Sequence, residues 1–212
     1  MRSPVLIVTQ CCAKKREVEL FRDMDQSVLN VVSPRYAHTL MKGRELLEQN
    51  VYGGRSVTAL SLYNGFEYKV LDRWLVKERY LKGEIDFIII SAGYGIVHAF
   101  ERIRAYDAVM KGHVLRLWLS LGLPEIIANY AFRSSATIVY GFLSKTGGYV
   151  DIFWKAARHM KSYGLQAKLV SPESCRGTAK VLKAIGLSIN KMLRENRIPR
   201  YVEGCRINVS DV

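Results

Sequence analysis

Phe87-Ile88-Ile89-Ile90-Ser91 decides the fold. Its four apolar side chains follow one another with no polar residue between them, so a strand built from it has no face left for water. Such a strand belongs inside a parallel sheet covered by helices on both sides. Four further runs share its character: VLIVT at 5–9, VTALSL at 57–62, TIVYG at 137–141 and AKLVS at 167–171. Helical patterns separate them. Residues 35–49 follow Ser33-Pro34, an N-cap residue and a proline at the first helical position. Residues 66–82 carry Val70, Leu71, Trp74, Leu75 and Leu81 on one face, and 114–132 are interrupted by Gly122 and Pro124. Residues 149–163 and 175–196 complete the set. The alternation predicts an α/β fold, a mostly parallel open sheet of about five strands with helices on both faces. Residues 1–198 are expected to form this one domain, and 199–212 a C-terminal tail or short edge strand at 206–209.

The 212 residues, 49% hydrophobic, suffice to bury a core without a disulfide or metal staple. No apolar run approaches the ~20 residues that cross a bilayer. The N-terminal stretch leads to no signal-type cleavage site, and the reading is of a cytoplasmic protein with no membrane partner. Cysteines 11, 12, 175 and 205 form no Cys-x-x-Cys pair, and histidines 38, 98, 113 and 159 form no ligand-spaced pair. Vicinal Cys11-Cys12 seldom closes a disulfide, which agrees with a reducing compartment. No metal and no cofactor are expected. Charge is more informative: the chain carries a formal +13, and residues 151–212 hold 12 Lys and Arg against 5 Asp and Glu. A polyanionic partner fits that excess, with Arg158, Lys161, Arg176, Lys180 and Lys183 as nucleic-acid contacts on one basic face. A merely solvated basic surface is the alternative.

In open α/β sheets, ligands bind beyond the carboxyl ends of the strands. The first such loop, Thr9-Gln10-Cys11-Cys12-Ala13-Lys14-Lys15-Arg16, sets a thiol beside three cations, a composition suited to anions and to a lowered thiol pKa. Asn64-Gly65 supplies a tight turn tolerant of positive φ, or simply a turn before a helix. Ser91-Ala92-Gly93-Tyr94-Gly95 bends around Tyr94, whose ring is placed to stack on a base. Glu101 and Asp107 follow as candidate acid/base groups or as partners of an oxocarbenium-like centre at a glycosidic bond. Their alternative is surface pairing with Arg102 and Arg104. Ser144-Lys145-Thr146-Gly147-Gly148-Tyr149 is a second Gly-rich loop with a lysine, and Ser174 is a plausible N-cap beside Arg176.

Together these segments resemble a known group. Ala59-Leu60-Ser61-Leu62-Tyr63-Asn64-Gly65-Phe66-Glu67-Tyr68, Ser91-Ala92-Gly93-Tyr94-Gly95-Ile96-Val97 and Ile103-Arg104-Ala105-Tyr106-Asp107 are similar to the central signature of the YaaA family. Cys12-Ala13-Lys14-Lys15 resembles a related branch whose first strand ends in Ser-Cys-x-Lys-x-Lys, and Gly147-Gly148-Tyr149 its late Gly-x-x-Tyr. The family's opening Ser-Pro-Ala-Lys is absent here. The resemblance spans roughly residues 5–160 and implies an association with peroxide stress and with DNA rather than RNA. It carries over Cys12, Lys14, Asn64, Gly65, Ser91, Gly93, Tyr94, Gly95, Tyr106 and Asp107. The expectation is therefore a YaaA-like protein that binds nucleic acid and, if catalytic, cleaves or exchanges a base at its N-glycosidic bond. Tyr94 would stack on the base, Asp107 or Glu101 would serve the chemistry, and Lys14, Lys15, Lys145 and Tyr149 would surround phosphate. A non-enzymatic DNA-binding stress protein and an enzyme acting on a small nucleotide are the alternatives.

Overall fold

A computed structural model describes residues 4–212. The chain opens with β1 (Val5–Gln10) and α1 (Pro34–Leu46), then β2 (Val57–Thr58) and three short helices, α2 (Ala59–Leu62), α3 (Phe66–Val70) and α4 (Arg73–Leu81). The middle holds β3 (Ile85–Ser91), β4 (Gly95–His98), β5 (Arg102–Ile103), α5 (Gly112–Ser120), α6 (Leu123–Arg133) and β6 (Ile138–Phe142). It ends with α7 (Tyr149–Ser162), β7 (Gln166–Glu173), α8 (Thr178–Glu195), β8 (Tyr201–Val202) and β9 (Cys205–Asp211).

The fold is α/β, but the sheet is mixed and has seven strands, in the order β4-β3-β1-β6-β7-β9-β8. β3, β1, β6 and β7 run parallel to one another, and they are the four apolar runs that read as doubly buried. Antiparallel strands extend both edges. On one side, β4 returns beside β3 through the tight Ala92-Gly93-Tyr94 turn, which Trp118 pins by donating to Ala92 O at 2.8 Å. On the other, the residues expected to form a tail or a short edge strand at 206–209 make a hairpin, and β9 pairs with β7 over six residues.

The fifth expected strand is not in this sheet. Only Val57 and Thr58 pair, with β5, and Ala59–Leu62 coils into a buried helical turn. A short apolar run is compatible with a strand or with a buried helix, and here both outcomes occur within six residues. The helix expected over 66–82 breaks at Leu71, where Asp72 caps a new helix by accepting from Leu75 N at 3.1 Å. Asn190 of α8 splints the break, donating to Val70 O and accepting from Asp72 N, both at 2.8 Å.

Register fixes the two faces. Val8 lies beside Gly141, and an added Cβ at Gly141 would meet the Phe153 ring at 2.7 Å, so α7 covers this face. Thr9, pointing the other way, bonds to Glu67 of α3, against which α8 packs through Gly186. The expected single basic face is thereby divided. Arg158 and Lys161 ride on α7, Lys180 and Lys183 on α8, and the sheet lies between the two helices. A covalent link also joins Cys175 to Cys205 across 30 residues, where no staple was expected.

Candidate functional site

The sheet order changes direction at β1: the chain from β1 crosses to β3 on one side, and β6 and β7 build on the other. The carboxyl end of β1 is therefore where a crevice opens. The loop leaving it is zipped to the segment before α3. Arg16 N donates to Leu62 O at 2.8 Å, Asn64 N to Lys14 O at 2.9 Å, and Gly65 N to Cys12 Sγ at 3.1 Å. Gly65 is needed for closeness rather than for positive φ. Its φ is −74°, and an added Cβ would stand 2.7 Å from Cys12 Cβ. Arg73 holds the other end of the segment, donating to Tyr63 O at 3.0 Å and Tyr68 O at 2.9 Å.

Against this zipped loop lies a cleft of about 290 Å³. Cys12, Ala13, Lys14, Asn64 and Gly65 form one wall, Phe66 and Lys69 of α3 a second, and Thr178 and Leu182 of α8 the third. Phe66 is 45% exposed, and Lys14 and Lys69 are exposed with no ionic partner among the described residues. No aspartate or glutamate lines the cleft. Four expected site residues thus meet here, and Phe66, Lys69, Thr178 and Leu182 join them unforeseen. A signal for two of these is in the sequence: Phe66 and Lys69 stand three apart at a helix start and share a face.

Cys12 is not the activated thiol that its neighbours suggested. Burial pushes it up to about 12, and the thiol donates to Lys14 O at 3.0 Å. Glu67, directly beneath the cleft, went unnoticed in the sequence. Thr9 Oγ1 lies 3.0 Å from Phe142 O and also within bonding distance of Glu67 Oε1. A hydroxyl has one hydrogen to donate, so a protonated Glu67 is what satisfies both contacts. Burial agrees, pushing this carboxyl up to about 8.

The other expected residues belong to the interior or its margin. Ser91 and Tyr106 are wholly buried and form a hydroxyl triangle with Tyr63, with sides of 3.0–3.2 Å. Burial raises both phenols well above their ordinary range. Gly93 is where the Tyr106 ring lies, 2.6 Å from an added Cβ, and Gly95, at φ +75°, packs on Trp118 and Leu40. None of these four is free to hold a ligand. Tyr94 is half-buried, with its hydroxyl on the Arg104 backbone at 3.2 Å and its ring edge-on to Tyr106, and it does not line the cleft. Tyr149 meets Cys11 Sγ at 3.2 Å through its hydroxyl. Lys15 lies 4.0 Å over the Tyr106 ring, and burial lowers its pKa.

Glu101 is a buried structural anion. Arg44 donates to it at 2.8 Å, and Val28 N and His98 N donate to its second oxygen at 3.0 and 3.2 Å. Asp107 is exposed near Lys15, its side chain holds no hydrogen bond among the described residues, and it caps no helix, since α5 starts after Lys111. Ser174 is not a cap either; β7 runs through Glu173, Ser174 takes φ +58°, and Gly177 precedes α8. Arg176 is exposed on the same loop. Lys145 pairs with Glu173 at 2.8 Å. No group of three or more metal-ligating side chains occurs among the described residues, and no helix there is long and apolar enough to cross a membrane. Compared with protein-family models and with curated proteins, the chain finds no match in either.

Proposed function

We propose that this protein binds nucleic acid through the cleft at the end of β1. The observation that carries the reading is the pairing of an exposed aromatic ring, Phe66, with two ammonium groups that have no carboxylate partner among the described residues, Lys14 and Lys69, around an apolar floor. A base stacks on the ring, and the cations meet its phosphates. The overall +13 favours approach of such a partner. The glycosidic chemistry expected from the sequence rested on Asp107 or Glu101 as the carboxylate at the bound sugar. Neither lines this cleft, so the proposal is of binding rather than turnover.

The test is fluorescence anisotropy with a labelled oligothymidylate of eight residues, titrated at several salt concentrations. Phe66→Ala is expected to weaken binding about tenfold. Lys14→Ala with Lys69→Ala is expected to flatten the dependence of log affinity on log salt by roughly 0.7 per lost phosphate contact. Unchanged affinity and slope in the triple variant, folded by circular dichroism, would overturn the reading. A salt dependence already shallow in the unaltered protein would favour a small nucleotide as ligand.

A further inference from the structure

The cleft does not end at α8. A second cavity, of about 310 Å³, adjoins it, and Thr178 and Leu182 line both. The far walls of the second cavity are residues 144–146 beyond β6, Pro172 near the end of β7, and Cys175 and Gly177 in the loop that follows β7. We propose that the two cavities are one groove that takes a single strand of nucleic acid at least two nucleotides long. One base lies on Phe66, and the following phosphate lies at Lys145. This inference rests on the binding reading above and extends it.

Three features support it. The first is continuity, since the exposed Thr178 and half-buried Leu182 stand one helical turn apart and form a floor common to both halves. The second is charge. Lys14 and Lys69 lie at one end and Lys145 at the other, and neither lining contains an acidic residue. Glu173 stands outside the lining and holds Lys145 at 2.8 Å; Lys145 is 61% exposed there, so a phosphate can compete for it. The third is that the far walls are fixed before any ligand arrives. Gln10 Oε1 accepts from both Ser144 N and Ser144 Oγ at 2.9 Å, which ties that loop to the end of β1. The link from Cys175 to the buried Cys205 ties the opposite lip to β9. A duplex keeps its bases stacked inside and has none to lay on Phe66, so a single strand is the form that fits.

The experiment compares three probes on the full chain: thymidine 5′-monophosphate, the eight-residue oligothymidylate, and a duplex containing that oligonucleotide. The oligonucleotide is expected to bind at least about tenfold tighter than the mononucleotide and tighter than the duplex. The readout is the ratio of oligonucleotide to mononucleotide affinity. Lys145→Ala is expected to lower that ratio about threefold. Glu173→Gln, which releases Lys145, is expected to raise it by a similar factor, a gain that misfolding does not produce. Equal affinity for mononucleotide and oligonucleotide, a ratio unmoved by both variants, or preference for the duplex would each overturn the groove while leaving the Phe66 cleft standing. Failure of every probe to bind would remove the binding reading itself, and the groove with it.

Discussion

Two regions of this molecule hold chemically suggestive side chains, and they differ in how fully those side chains are used. Beneath the β3–β4 hairpin, Arg44 donates to Glu101, to Tyr94 O and to Ile96 O. Nearby, Asp86 accepts from Tyr130 at 2.8 Å and lies 3.0 Å from His98 Nε2. His98 Nδ1 accepts from Phe100 N at 3.1 Å, and Nε2 faces Asp86. A carboxylate, an imidazole and a phenol in contact look like machinery, yet each is spent on its neighbours. At the end of β1 the groups are plainer, two lysines and a phenylalanine, but their functional ends face an open cleft. Spare capacity, more than residue type, separates a candidate site from a buried polar core.

Glu67, buried on α3 next to the cleft-lining Phe66 and held by Thr9 of β1, is a buried acid on the cleft side of this comparison, and its titration gives the largest expected effect. Its carboxyl titrates near 8 in the folded chain against 4.5 as its ordinary value. Below about 4.5 both states are protonated, and its contribution is fully present. As pH rises toward 8 the unfolded chain loses this proton while the folded one keeps it, and stability falls. Glu67→Gln keeps a donor for Thr9 and removes the titration, so urea unfolding at pH 5, 7 and 9 should show the variant gaining on the parent as pH rises. The gain should reach up to about 5 kcal/mol at the top of the range. Parallel curves for the two proteins would mean that Glu67 is ionised and the proton assignment fails.

Next in size is Glu101→Ala, which strands the Arg44 guanidinium, 16% exposed, without its carboxylate. A loss of about 3–5 kcal/mol is expected in urea unfolding, with oligonucleotide affinity per folded molecule unchanged. A variant that stays stable but stops binding would erase the distinction between the regions. Gly65→Ala should cost about 1–3 kcal/mol in thermal melting, because a methyl group there collides with Cys12. The smallest effect is expected at Asp107→Asn, within about 0.5 kcal/mol of the parent and with binding intact, since its exposed side chain makes no hydrogen bond among the described residues and meets Lys15 only through space. Lost binding in that variant would extend the site from the cleft toward Lys15.

These outcomes also mark what the sequence made legible. The four inner strands were readable because a strand buried on both faces leaves an uninterrupted apolar run. β4 was not, since Gly95–His98 is four residues long and is defined by its return beside β3. β9 read at most as a short edge piece of a tail, because Arg206, Asn208 and Ser210 give it the polar look of a surface segment. Cys12 and Lys14 were legible as a site because chain position puts them at the end of β1. Asn64 and Gly65 were reached through a strand expected over 57–62, which the fold largely replaces with a helical turn. Ser91, Gly93 and Tyr106 shared a strand-end position, but burial, which spacing does not report, turned them inward. Glu67 drew no role from the sequence, because an acid in the first turn of the helix expected over 66–82 gives no sign that it will be buried against β1. The division of the basic residues followed from sheet register, which no charge count contains.

The bond between Cys175 and Cys205 has a consequence for a damaged chain. The 30-residue interval it closes contains all of α8 and the turn into β9. A protease that cuts inside this interval opens a loop but frees no fragment. The helix that floors the groove and the strand that covers β7 stay on one covalent body, and only a cut followed by reduction lets them part.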